Sequence, residues 1–181
     1  RMIRISRELA LSVPALLTSL SFASEGAGTS ALAAFGTTAD ARMAGVSGAS
    51  VAGVVKDAAT IEANAAGLAF PKGVTASAGY HAAIEGTGRA SGAISIPVGP
   101  GSVAFGASGF IGGSAEEISF GAGTGKNIGY SAFMTRFSYG SRVVSRPNLV
   151  FGLGAGISYA RENIAGVGAN AFAGNLGAIV G

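Results

Sequence analysis

From Gly73 onward, apolar residues alternate with small or polar ones at every second position. Val74, Ala76, Ala78, Tyr80, Ala82 and Ile84 interleave with Thr75, Ser77, Gly79, His81 and Ala83. Ala90, Gly92, Ile94, Ile96 and Val98 interleave with Arg89, Ser91, Ala93, Ser95 and Pro97. Val103, Phe105, Ala107, Gly109 and Ile111 form a third run against Ser102, Ala104, Gly106 and Ser108. Phe133, Phe137 and Tyr139 oppose Met134, Arg136 and Ser138, and the series Leu149 to Tyr159 and Phe172 to Val180 repeat the pattern. A period of two marks a strand with two unlike faces. The runs predict six strands of about 9–13 residues. Turns are expected at Val98-Gly99-Pro100-Gly101 and at Ser145-Arg146-Pro147-Asn148, with one longer connection over residues 112–127.

The two faces decide the class. In a soluble sandwich the bulky faces pack on each other and the opposite faces carry Lys, Glu and Asp. Here the second face carries mostly Gly, Ser, Ala and Thr, with isolated charges. That division suits an all-β, antiparallel transmembrane β-barrel with its apolar face toward lipid and its small-residue face inward. Strands near ten residues match the ~9–11 that cross a bilayer at a tilt. Tyr80, Tyr130, Tyr139 and Tyr159 are assigned to interfacial girdles. His81, Arg89 and Arg136, with Glu85, are candidate interior-facing residues, although solvated strand ends explain them equally well. Six strands fall short of the eight or more of bacterial outer-membrane barrels. The chain is therefore expected to be the N-terminal portion of a longer barrel, or one of several copies that close one.

Composition sharpens this picture. The chain has 181 residues, 31 of them Gly, with no Cys and no Trp. Only 12% of residues are charged, against about 25% in a typical soluble domain. The absence of Cys excludes disulfides and thiolate metal sites. Net charge is +3 and the basic residues are scattered, which argues against nucleic-acid binding. Met43 to Val55 leans apolar, but Ser47, Gly48, Ser50 and Gly53 break it well short of a spanning helix. At the N-terminus, Arg1, Arg4 and Arg7 precede an apolar stretch from Leu9 to Leu20, followed by the small residues Ser21 and Ala23. This is the layout of a secretory signal peptide over residues 1–23. Its removal takes away three Arg and one Glu and lowers the net charge from +3 to +1.

Between leader and strands, residues 24–72 are expected to form a plug segment. Lys56 to Phe70, KDAATIEANAAGLAF, reads as a short helical turn with an Asn set among Ala and Gly. Asp57 is placed to cap it through the amide of Ala59 or Thr60. Asn64 is expected to bond backbone groups where the chain turns into the first strand, beside Gly67. Alone in water the turn is too short to persist, so it is expected to pack inside the barrel mouth, with a surface position beside the barrel as the alternative.

Catalytic and cofactor motifs fail. GAGTGKN has Phe120 where a P-loop needs its first Gly, and Asn127 where it needs Ser or Thr. Gly166 to Ala171 matches the dinucleotide fingerprint only loosely, with no helical pattern after it. His81 is the single His and lacks partners; Glu116-Glu117 reads as a solvated loop. No metal or nucleophile constellation assembles, so neither a cofactor nor an enzymatic activity is expected.

Ala41 to Phe70, ARMAGVSGASVAGVVKDAATIEANAAGLAF, resembles the N-terminal signature of the FadL superfamily of outer-membrane barrels, in its PorV/PorQ-like branch. Ala41-Arg42, Gly45, Gly48, Gly53, Asp57-Ala58 and Asn64 to Gly67 fall in the family's order and spacing. Ile157 to Gly181 is similar to a strand–loop–strand stretch of the same family. Ala65 stands where the family usually has Pro, Lys56 where it has an acidic residue, and Asn175 where it often has Asp. The resemblance implies a barrel of about fourteen strands with an N-terminal plug, of which residues 73–181 supply the first half. It further implies an outer-membrane location and contact with lipid. The expected role is passage of hydrophobic solutes, or service in a secretion system that handles cargo proteins. A secreted Gly/Ala-rich structural or adhesive surface protein is the alternative, and it would fold in water without detergent.

Overall fold

The computed structural model describes residues 35–36, 40–45, 51, 57–82, 86–119, 122–146 and 149–180, all within the unit Leu32–Gly181. The proposed leader over residues 1–23 and Glu85 lie outside them. The described residues form an all-β fold, a six-stranded antiparallel sheet in chain order. The strands are β1 (Thr75–Ala82), β2 (Gly88–Val98), β3 (Gly101–Ser119), β4 (Ala122–Arg146), β5 (Leu149–Ile164) and β6 (Val167–Val180). β1 and β6 are the two edges; the sheet is not closed.

Turn chemistry sets this order. Gly99 has φ of +59°, and Pro100 follows with its φ locked by the ring, a pairing that suits a tight β2–β3 hairpin. Ala165 and Gly166 both have positive φ, 54° and 85°, as a two-residue hairpin of type I′ requires. The Asn163 side chain accepts from the Gly166 amide at 3.1 Å and braces that turn.

Register keeps like residues on like faces. Ile94, Phe105 and Phe137 are successive partners across β2, β3 and β4, and Phe137 pairs with Ile157 on β5. Ser95, Ala104, Ser138 and Gly156 form the corresponding row on the other face.

Several elements differ from the sequence expectation, and of the six strands only β2, at 11 residues, keeps the expected length, β1 having 8, β5 16 and β6 14. The longer connection over residues 112–127 is strand for most of its length: β3 runs for 19 residues and β4 for 25. The Glu116 carboxylate accepts from the Gly125 amide at 3.0 Å, so Glu116 lies in a hairpin arm and not in a loop. Register shifts between Ile111 and Ser114 and between Glu116 and Ile118 let the hairpin continue where apolar alternation has stopped. Tyr130 departs from its assignment to a girdle. It lies on the small-residue face, where its hydroxyl donates to Glu162 Oε1 at 2.7 Å and its ring meets Phe110 edge-on at 5.3 Å.

Ahead of the sheet, α1 (Ala41–Gly45) is followed by two 3-10 turns, η1 (Ala58–Glu62) and η2 (Ala65–Ala69). Asn64 therefore opens a second turn, and the chain reaches β1 only at Thr75. The turns are short because each is capped afresh. The Asp57 side chain accepts from the Ala59 amide at 2.9 Å, and the Asn64 side chain accepts from the Ala66 amide at 3.0 Å.

This turn pair packs on the small-residue face of the sheet. η1 touches β1 to β4, and η2 touches β3 to β6. The core sits between them: Ile61 and Leu68 pack with Ala104 and Ala93. Burying Ile61 and Leu68 stabilises the contact by roughly 1.5–3 kcal/mol each.

Candidate functional site: the turn pair against the small-residue face

η2 approaches the sheet at backbone distance because β4, β5 and β6 present glycine there. A Cβ on Gly154 would run into the backbone of Ala65 and Ala66, and one on Gly140 into the Ala65 carbonyl oxygen. A Cβ on Gly177 would meet the Asn64 carboxamide oxygen. The Gly and Ser alternation of these strands is thus explained by what lies against it. Gly67 serves the same end within the pair, since its missing side chain leaves room for the Thr60 hydroxyl.

Asn64 joins three segments. Its Oδ1 caps η2, while its Nδ2 donates to the carbonyls of Val51 at 3.0 Å and Ala178 at 3.1 Å. The second of these reaches edge strand β6. Asp57 uses both carboxylate oxygens: Oδ1 caps η1 and Oδ2 takes Arg42 Nη1 at 2.6 Å. Arg42 also reaches Asp40 at 3.0 Å, and Asp40 Oδ1 caps α1 through the amides of Arg42 and Met43. The side-chain hydrogen bond from Arg42 holds the Asp40 carboxyl below its usual range, and the two carboxylates raise Arg42 further.

Arg89 and Arg136 come together although they lie 47 positions apart in the sequence. Both project from the small-residue face, and both reach one carboxylate oxygen of Glu62, the last residue of η1. Arg89 Nη2 lies 3.3 Å from it and Arg136 Nη1 lies 3.9 Å from it. The Arg89 side chain is only 3% exposed, and those of Arg136 and Glu62 are 12% exposed. The Phe35 ring lies 5.5 Å from the Arg89 guanidinium carbon, within cation–π range. Arg89 Nε is buried with no hydrogen-bond partner. Two cations thus share one carboxylate away from bulk water. Removing one partner of a buried ion pair costs about 3–5 kcal/mol, because it strands the other charge.

His81 lies on the same face at the far end of β1, in register with Arg89 but exposed. It joins no cluster that the structure describes. Among the described residues no three His, Cys, Asp or Glu side chains converge on a common point, and no helix is long and apolar enough to cross a membrane.

Glu62 was not a candidate in the sequence, where it is one acidic residue in a five-residue turn. The signal for it was indirect. Two arginines on a face made mostly of small residues require a counter-charge, and Asp57 is spent as a cap.

The opposite face carries the bulk. Tyr80, Phe105, Phe133, Phe137, Ile157, Phe172 and Leu176 project from it, exposed by 70, 52, 47, 51, 66, 82 and 90%. The four phenylalanines alone leave on the order of 400–500 Å² of aromatic surface uncovered. An entire soluble monomer has a largest apolar patch of about 300–600 Å².

No family model, curated protein or solved structure matches this chain.

Proposed function

We propose that the chain forms part of the wall of an outer-membrane β-barrel of the FadL or PorV type, with the turn pair as its plug. It passes hydrophobic solutes or serves a protein secretion system, without enzymatic chemistry of its own. One observation carries this reading. The sheet is inside-out by the standard of a soluble protein, with phenylalanine, leucine and isoleucine on the open face and glycine, serine and alanine on the face that packs. Lipid is the solvent that favours that division.

Strand length fits as well. β2, β5 and β6 have 11, 16 and 14 residues, enough for the ~9–11 of a tilted crossing. β3 and β4 extend beyond that length, so their hairpin projects from the membrane. The edges β1 and β6 need partners, since an unpaired edge in hydrocarbon costs several kcal/mol for each unsatisfied group. The turn pair supports the plug role by lying on the inward face and touching all six strands.

Fractionation of cells expressing the full-length protein tests the proposal. The protein is expected in the outer-membrane fraction, extractable only with detergent. Recovery in the soluble fraction without detergent would end this reading and favour a secreted surface protein.

A further inference from the structure

We propose that Glu62 is an electrostatic latch: its carboxylate, shared by the buried Arg89 and the half-buried Arg136, holds the turn pair against the sheet, and its loss frees the pair. The three residues come from three elements. Glu62 closes η1, Arg89 lies on β2 and Arg136 on β4. Their contact is a charged bridge between turn pair and sheet; other attachments among the described residues include the packing of Ile61 and Leu68, the close approach over glycine and the Asn64 bond to Ala178.

The latch is directional. With Glu62 in place, one carboxylate offsets two guanidinium groups. Without it, two like charges that both lie within 3.9 Å of the same oxygen remain in a region of low dielectric, where their repulsion is weakly screened. Arg89 has almost no exposure and an unpartnered Nε, so hydration cannot relieve it while the interface stays shut. Opening the interface is what brings water to both cations. Only the consequence, that opening the interface would open a pore, rests on the barrel reading; the latch itself does not.

The test uses the full chain in detergent micelles. The protein has no Cys, so Ala59→Cys places a single thiol in η1, where Ala59 is 4% exposed. The readout is its rate of reaction with a water-soluble maleimide. Glu62→Gln is expected to speed labelling by at least about tenfold, the size of a modest shift in an opening equilibrium. Replacing all three charged residues by Met, which keeps volume and removes every charge, is expected to return the rate to within about threefold of the parent. Labelling of Glu62→Gln at the parent rate overturns the latch. So does a triple variant that labels as fast as Glu62→Gln, because the attachment would then be one of shape. If Glu62→Gln fails to fold by far-UV circular dichroism, Glu62→Asp replaces it. A withdrawn carboxylate should speed labelling severalfold, and an unchanged rate refutes the latch. Flotation with liposomes is scored separately: failure to float sinks the membrane reading and leaves the labelling result standing.

Discussion

Ile157→Arg separates a lipid-facing sheet from a water-facing one. Ile157 is the ninth of the 16 residues of β5, and it is 66% exposed. Its partners are Phe137 on β4 and Gly174 on β6. Gly174 offers no side chain to cover it, which explains the exposure. Seven residues separate it from the end of β5. At ~3.3 Å per residue and a ~45° tilt, that places Ile157 about 16 Å below the strand end. A hydrocarbon core is ~30 Å thick, so in the proposed barrel the position would fall close to the midplane. Arginine there costs about 2–4 kcal/mol. Losing two-thirds of an isoleucine's contact with an apolar medium adds roughly 1–2 kcal/mol. The expected destabilisation is about 3–6 kcal/mol, a factor on the order of 10² to 10⁴ in the folding equilibrium. In water the same change at an exposed site stays within ~0.5 kcal/mol. Urea unfolding of the protein refolded into liposomes, followed by tryptophan-free tyrosine fluorescence or by protease protection, measures the difference. A change under 0.5 kcal/mol, with better solubility in plain buffer, would show that this face meets water.

Three further outcomes test the packing side. Gly154→Val should destabilise by about 1–3 kcal/mol through overpacking against Ala65 and Ala66. Gly174→Val, on the open face with no atom within reach of a new Cβ, should stay within ~0.5 kcal/mol in the same unfolding assay. Asn64→Leu should cost about 2–4 kcal/mol through the lost cap and both amide-donated bonds. Asn64→Asp keeps the acceptor for Ala66, so hydrogen exchange at the Ala66 amide should quicken in the first variant and much less in the second. For α1, Arg42 depresses Asp40, so the contribution of Asp40 to stability is fully present above the unfolded value of about 4 and is lost as pH falls through the lower folded value. Its partner Arg42 is 61% exposed and screened by solvent, which holds that loss to about 1 kcal/mol or less. The protection factor of the Met43 amide should therefore fall below pH ~4 and hold steady between pH ~5 and ~8.

Alternation made the strands legible because β2 to β6 keep bulky residues on one face, while β1 shows the same period mainly in alanine. Ile94, Phe105, Phe137 and Ile157 mark one such row through four strands, and the period of two recovers it from sequence alone. The outer β3–β4 hairpin was not legible for the same reason. Past Ile111 neither face is consistently apolar, so Ser114 to Ser119 pair with residues 122–129 through the backbone ladder, which leaves no trace in side-chain pattern. The arginine site was half legible. Arg89 and Arg136 stood out as charges on a small-residue face, but the sequence shows neither that β3 lies between their strands nor that a turn 27 residues before Arg89 brings Glu62 to both. Glycine carries the same lesson. Gly140, Gly154 and Gly177 read as weak strand formers one by one, and propensity alone would remove them. Their register gathers them beneath Asn64 and η2, where any side chain would lift the turn pair off the sheet. The residues that look least suited to a strand are the ones that fix what can lie on it, so substitutions at these glycines should change the turn pair's position before they disturb the strands themselves.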